Sequence, residues 1–369
     1  MESNRTGRLP WAIVLFILAL TVLIAWGGAS LVKRGQERNA LGSVREKVLN
    51  TPQSVQIVRD GAVYYDGGTI AKLDASGNTK WSYMIGGGAQ MQSSDSGVAA
   101  WIGDSLTLIN GTTGAADFSG KMDGNILSAR LGPQYAAVVL EPEHDSTIVL
   151  MESGGRRVDS ITLSGKTVID YGFFNTTGDL FWVMTLDTTG TAPSCTLSTY
   201  RPGKRIVGQI TDSVQVMYRT MFQSTQIVTA GNVYLRVYDY TGKETAEKRT
   251  LVYGWMLASV DDLSDNPMMA FTPTGEYDGS AEMKDVRMIR GSSEQTVRMP
   301  FACESLVARD DCVYGFSSDG YIMIARMGEQ KVNAYRLNIR FDTVYGVADG
   351  NVAILGSGNS LYFVSLKGA

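Results

Sequence analysis

The sequence predicts an all-β protein: an eight-bladed β-propeller, with seven blades as the alternative, preceded by one N-terminal transmembrane helix. Three observations predict it. An uninterrupted apolar stretch lies near the N-terminus, the remaining chain consists of short apolar runs punctuated by glycine-containing turns, and one such turn recurs at intervals of 37 to 49 residues. The chain divides accordingly into a tail at 1–8, a membrane helix at 9–32, a juxtamembrane linker at 33–53 and the propeller at 54–369.

Composition narrows the function classes first. With 44% hydrophobic and 19% charged residues, the chain can bury a sizeable core and falls outside the disordered class. Its 41 glycines and 17 tyrosines suit many tight turns between aromatic and β-branched strands. A net charge of -4, without any block of like charge, supplies no surplus of Lys and Arg to neutralise phosphates, which excludes nucleic acid as a partner. Cys195, Cys303 and Cys312 are too few for a disulfide scaffold. Cys303 and Cys312 could meet across a hairpin, but bridging depends on distance and direction, and two buried thiols are the simpler expectation.

Residues 9–32 read LPWAIVLFILALTVLIAWGGASLV without one charge. At about 1.5 Å per residue they exceed the roughly 30 Å of a bilayer's hydrocarbon. Trp11 and Trp26 bracket the most apolar part, Arg5 and Arg8 precede it and Lys33 and Arg34 follow, as interfacial anchors do. A cleaved signal peptide is the alternative, with Gly27 and Ala29 as small residues for cleavage, but the run is longer than a usual signal-peptide core. No cysteine follows it to carry a lipid. Counting Arg5 and Arg8 against Lys33, Arg34, Arg38, Arg45 and Lys47 would leave the domain in the cytoplasm. Long domains cross largely regardless of such charges, and a short basic tail commonly stays inside, so the expectation is a single-pass protein of the cell membrane with an extracytoplasmic propeller.

The repeat is a pair of short apolar strands joined by a tight turn, then a second turn with glycine, then a more polar strand. GAVYYDG and TIAKLD lead through Ala75-Ser76-Gly77-Asn78 to TKWSYMI, and GVAAWIG and SLTLIN lead through GTTG to AADFSG. Later, NVYLRVYDY reaches Thr241-Gly242-Lys243, and CVYGFSSDGYIMIARM reaches Gly328. The glycine of this second turn falls at Gly77, Gly114, Gly154, Gly203, Gly242, Gly291, Gly328 and Gly368. Propeller blades repeat every 40 to 50 residues or so, whereas helical solenoids need 3.6-residue apolar stripes that this chain lacks. Residues 55–59 fall as far upstream of Gly77 as 89–93 do of Gly114, and read as the innermost strand of the first blade. The last unit ends without an outer strand, leaving an open edge that needs cover. Residues 38–51 are the candidate to add that strand and close the ring; otherwise they form a short juxtamembrane helix behind a seven-bladed ring.

Residues 71–81, AKLDASGNTKW, resemble the tryptophan-docking repeat of quinoprotein-like propellers: Asp74, Gly77 and Trp81 match in kind, with a turn one residue shorter than the family's usual form. Asp239-Tyr240-Thr241-Gly242-Lys243 matches the turn without a Trp behind it. With the anchor in front, the chain resembles a family of uncharacterised, membrane-anchored PQQ-like propellers of Gram-positive bacteria. The resemblance implies that Trp81 is a wedge between adjacent blades. Quinoprotein dehydrogenases hold a quinone and calcium beside a bridge between adjacent cysteines, and this chain has no adjacent pair, so no cofactor is expected.

Four clusters are candidates for chemistry. His144, the sole histidine, stands in EPEHD with Glu141, Glu143 and Asp145; one His among flexible acids suits a solvated hairpin better than a metal site, and it leaves no Ser-His-Asp system. Asp261-Asp262-Leu263-Ser264-Asp265-Asn266 lacks the ligand spacing of a calcium loop and reads as a polar turn. Ser93-Ser94-Asp95-Ser96-Gly97, with Trp101 following, resembles the Asp-box of sialidase-type propellers in a single copy. Tyr171, Phe173, Phe174, Tyr218 and Phe222 could line a channel mouth, but inter-blade core is the expectation. No catalytic, cofactor-binding or metal residue is assigned. The functional expectation is a non-enzymatic binding or scaffold module for a protein, peptide or glycan. The alternative is a hydrolase or quinoprotein-like enzyme whose carboxylates converge at the channel.

Overall fold

The computed structural model describes residues 41–141, 145–174, 177–190, 193–212, 215–223, 225–276 and 283–366. They form eight four-stranded antiparallel sheets, each built from consecutive strands except the last. Blades 1 to 7 occupy residues 54–84, 90–121, 126–163, 167–212, 217–251, 255–303 and 305–336. Blade 8 joins residues 343–366 to an outer strand from the opposite end of the described chain, Leu41–Val48. The expectation for residues 38–51 is met by this strand, which runs antiparallel to Ser360–Leu366 from Leu41 opposite Leu366 to Val48 opposite Ser360. The propeller thus starts at Leu41, within the segment 33–53 read as a linker. The segment 9–32 lies outside the described residues; among the described residues, no helix is long and apolar enough to cross a membrane.

Side-chain alternation explains why these runs are apolar without interruption. In Ser146–Glu152, Ile148 and Leu150 join the cluster shared with blade 4, whereas Val149 and Met151 join the cluster shared with blade 2. Both faces of each middle strand are buried, so the period-2 signal of a half-exposed strand gives way to a continuous run. The same logic repeats between every pair of neighbours, and the last cluster unites Ala62 and Leu73 of blade 1 with Ala348, Ile354, Leu361 and Phe363 of blade 8. Outer strands are polar by contrast, as in Ala116–Lys121, where no residue is buried.

Trp81 behaves as the resemblance implies. It is buried with residues of blades 1 and 2, and its indole N–H donates to the Gly111 carbonyl of blade 2 at 3.0 Å. Gly114 lies against the ring so closely that a Cβ there would sit 2.6 Å from the Trp81 Cβ, at a φ of +73° that also favours glycine. The turn before Trp81 is held by Asp74, whose carboxylate accepts the N–H groups of Ser76 and Asn78 at 2.9 Å each. Asp239 repeats this in blade 5, accepting from Thr241 at 2.9 Å and Lys243 at 3.0 Å. Gly77, Gly114, Gly154, Gly203, Gly242, Gly291 and Gly328 all fall between the third and fourth strands of successive blades. Gly368 lies outside the described residues.

Because Leu41–Val48 alone covers the outer edge of Ser360–Leu366, its removal should expose a row of unpaired backbone groups. A chain lacking residues 41–48 is expected to lose about 5 °C or more of thermal midpoint and to self-associate with concentration. Calorimetry and size-exclusion chromatography measure both, and an unchanged, monomeric profile would contradict the closure.

Candidate functional site

Each innermost strand runs along the central channel and turns outward at the same end. At that end, or farther back within the strand for Asp170 in Thr167–Phe173 and Arg219 in Met217–Gln223, every blade presents a charged side chain, and the sign alternates around the ring. In blade order these are Arg59, Asp95, Arg130, Asp170, Arg219, the pair Asp261 and Asp262, Arg309 and Asp349. Alternation lets each arginine meet an aspartate of a neighbouring blade. Arg59 meets Asp95 at 2.9 Å and Arg130 meets Asp170 at 2.8 Å. Arg219 pairs with Asp262, and Arg309 pairs with Asp261 at 2.9 Å and also with Asp349. Blade 8 is tied back to blade 1 by the Asp349 N–H, which donates to the Arg59 carbonyl at 2.8 Å.

The two sides of this ring differ in solvation. The side chains of Arg309 and Asp261 are 4% and 1% exposed, and Asp261 also accepts the Asp310 N–H at 2.8 Å. Such a pair is costly to break, because either partner alone is a buried charge. Arg59 and Asp95, at 52% and 38%, stand in solvent, where an ion pair contributes little. This open side surrounds a cavity of about 500 Å³, within the usual range of ligand sites. Its walls come from blades 1 to 6 and include Arg59, Asp95, Arg130, Asp170, Arg219 and Asp262. Phe173, Trp182, Met221 and Phe222 give it an apolar side between blades 4 and 5. The Arg59 guanidinium reaches the Leu263 carbonyl of blade 6 at 2.7 Å.

Titration at the mouth follows from these walls. Desolvation raises the Asp262 carboxyl above its ordinary range; Arg219 opposes the shift, and Asp261 and Asp170 reinforce it. Burial pushes the Tyr171 hydroxyl to about 12, against the hydrogen bond it donates to Ser128 and the nearby Arg130. All three cysteines are free and buried. Burial also raises the Cys195 thiol and, with Asp311 beside it, takes Cys312 to about 12, so neither is a thiolate at neutral pH.

These candidate residues fall at different depths and ends of the propeller. Asp95 of the Asp-box-like segment faces the mouth, while Trp101 is core between blades 2 and 3. The turn starting at Asp261 is the most connected part of the rim, since it receives Arg309, Arg219 and Arg59. Tyr171, Phe173 and Phe174 are buried as expected, and Tyr218 is 37% exposed. Phe173 and the half-buried Phe222 both pack in inter-blade clusters and line the cavity. His144 and Glu143 lie outside the described residues. Glu141 accepts from Asn125 at 3.1 Å and Asp145 from Ser164 at 2.9 Å, at the channel end opposite the mouth. Among the described residues no three His, Cys, Asp or Glu side chains are grouped to hold a metal ion.

Sequence reasoning missed Arg59, Arg130, Asp170, Arg219, Arg309 and Asp349. No single spacing marks them: Arg59 and Arg309 lie 18 and 19 residues upstream of their blades' turn glycines Gly77 and Gly328, whereas Arg219 lies 23 upstream of Gly242 and Asp170 lies 33 upstream of Gly203, so only the three-dimensional ring brings them into line.

Solved structures share this architecture. BamB from Moraxella catarrhalis is similar with a TM-score of 0.53 and 13% identity, covering 88% of this chain and 99% of that one. Sqt1 from Saccharomyces cerevisiae gives 0.58 and 10%, covering 89% and 99%. The computationally designed protein Ika8 gives 0.53 and 13%, covering 86% and 96%. These likenesses show the fold. No protein-family model and no curated protein sequence matches the chain.

Two outcomes follow from the ring and the thiols. Arg309→Met should cost about 3–5 kcal/mol in urea unfolding by stranding Asp261, whereas Arg59→Met should cost about 1 kcal/mol or less; equal losses would refute the division into buried and open sides. At pH 8, a thiol reagent should label none of the three cysteines in the folded chain and all three in denaturant. Rapid labelling of Cys312 in the native state would refute its burial.

Proposed function

We propose that this chain is a membrane-tethered, extracytoplasmic β-propeller that binds a protein, peptide or glycan at the mouth of its central channel, acting as a binding or scaffold module and not as an enzyme. The observation that carries this reading is the ring of ion pairs around an open cavity. Each acid lining the cavity, Asp95, Asp170, Asp261 and Asp262, is paired with an arginine, so the mouth offers polar recognition with its carboxylates already engaged. The Asp74–Gly77–Trp81 wedge supports membership of the membrane-anchored PQQ-like propellers of Gram-positive bacteria.

The tether adds a direction. Leu41 pairs with Leu366, whose N–H donates to the Asn351 carbonyl at 2.9 Å, and Asn351 stands in the turn after Asp349. The chain therefore enters the propeller at the end that bears the mouth. Residues 33–40 reach at most about 28 Å when fully extended. A helix at 9–32 would therefore hold the mouth end toward the bilayer.

Protease treatment of intact cells expressing the full chain should digest the propeller without permeabilisation. The detergent-solubilised full chain should also capture a specific component from membranes of the same cells, and Arg130→Ala combined with Arg219→Ala should abolish that capture. Digestion only after permeabilisation would reject the extracytoplasmic reading. Capture that persists in the double variant would reject the mouth as the binding surface.

A further inference from the structure

Below the mouth the channel holds a second cavity, of about 230 Å³. It shares Gln92, Arg130 and Asp170 with the first. Its other walls use earlier residues of the innermost strands of blades 3 and 4, from Leu127 and from Val168 onward, so it lies deeper along the channel. Two of its residues owe their position to irregular pairing. In blade 3 the register passes from Ile126 opposite Leu140 to Ser128 opposite Val139, and in blade 4 from Val168 opposite Thr185 to Asp170 opposite Met184. Leu127 and Ile169 are therefore the extra residues of two bulges, a device that re-aims a side chain. Both line the second cavity, at 59% and 45% exposure. On the described innermost strands, only these two and Tyr218, the bulge residue of blade 5, are exposed large apolar side chains. Single exposed apolar residues are ordinary, but two from neighbouring blades in one cavity give it an apolar floor within reach of a ligand.

The polar groups between the two cavities select that ligand. Arg130 and Asp170 face each other at 2.8 Å, so the passage carries no surplus charge for an ionic group. The Gln92 side chain is half-buried and makes no hydrogen bond among the described residues, which leaves it a carbonyl that accepts and an NH2 that donates. A peptide group offers the matching N–H and C=O. Ser128 adds a donor, since its oxygen accepts from the Tyr171 hydroxyl at 2.9 Å and its own proton remains to be given. An alkyl chain would have to pass Gln92, Arg130 and Asp170 before it met Leu127 and Ile169. A sugar ring would need an open aromatic face. Tyr171, the aromatic residue of this cavity, is 4% exposed, with the Arg130 guanidinium over its ring at 4.9 Å from the centroid.

We infer that the second cavity is a side-chain subsite for a bound peptide, taking one aliphatic residue against Leu127 and Ile169 while the Gln92 amide pairs with the adjoining peptide group. The assignment rests on the binding reading above and adds its ligand class and the residue type it selects.

The full chain in lipid nanodiscs is titrated by calorimetry with N-acetylated, C-amidated tetrapeptides bearing leucine, alanine or glycine at one position and glycine elsewhere. The leucine peptide should bind about tenfold tighter than the alanine peptide. Leu127→Asn and Ile169→Thr change side chains that are already exposed, so the fold tolerates them. Each should weaken the leucine peptide about three- to fivefold, and together they should erase the preference for leucine over alanine. Gln92→Met removes donor and acceptor at similar length and should weaken every peptide that binds by about fivefold. Met84→Ser alters an exposed apolar residue outside both cavities and should change nothing. In the isoleucine methyl spectrum, the resonance missing from Ile169→Thr should be the one that moves on titration. Equal affinity for the leucine and alanine peptides, or a double variant that keeps the preference, would overturn the subsite. Membrane capture that still depends on Arg130 and Arg219 would then leave the binding reading standing. The inference also falls if none of the peptides binds, or if chitotriose or octyl glucoside moves the Ile169 methyl resonance and no peptide does.

Discussion

Each blade of this chain is a four-stranded sheet with two apolar faces and no second layer of its own to cover either. That constraint determines the rest. Ile148 and Leu150 need blade 4, and Val149 and Met151 need blade 2, so no blade is stable alone and any open row of blades would leave two bare faces. Closing the row into a ring removes both. The cluster of Ala62, Leu73, Leu361 and Phe363 is where this happens, and Leu41–Val48 seals it by donating the strand that blade 8 lacks. Chain closure and hydrophobic closure occur in the same blade.

A ring of sheets also brings eight strand ends together around one axis. If those ends carry charge, their signs cannot be arbitrary, since like charges on neighbouring blades repel at short range. Alternation of Arg and Asp solves this, and only an even number of blades can alternate without a fault. A seven-bladed ring would place two like charges side by side. The charge pattern thus argues for eight blades independently of the strand count. It also allows the mouth to be highly polar without a strong net field, which suits recognition of neutral polar groups better than capture of ions.

The architecture was legible in the sequence because its signals are local or periodic. Turn glycines mark each blade, apolar runs mark the middle strands, and Asp74 with Trp81 shows one turn and its wedge in full. The mouth was not legible, for two physical reasons. Its members are far apart in the chain, with Arg219 and Asp262 separated by 43 positions and Asp261 and Arg309 by 48. The innermost strands also carry irregularities, such as those between Val168 and Asp170 and between Met217 and Arg219, which shift their charges relative to the strand ends. Asp261 and Asp262 illustrate the limit: adjacent in sequence, one is sealed against Arg309 and the other opens into the cavity with a raised carboxyl, a difference made wholly by neighbouring blades.

The asymmetry of the ring assigns its sides different work. Blades 6 to 8 meet through Arg309, whose buried pair with Asp261 and contact with Asp349 fasten the closing blade to its neighbours. The cavity lies over blades 1 to 6, and its apolar wall lies at blades 4 and 5. In an eight-membered ring, blade 4 stands diametrically opposite blade 8, the blade that Leu41–Val48 completes. The strand that begins at Leu41 thus joins the propeller on its fastened side, across the ring from the apolar wall of the cavity.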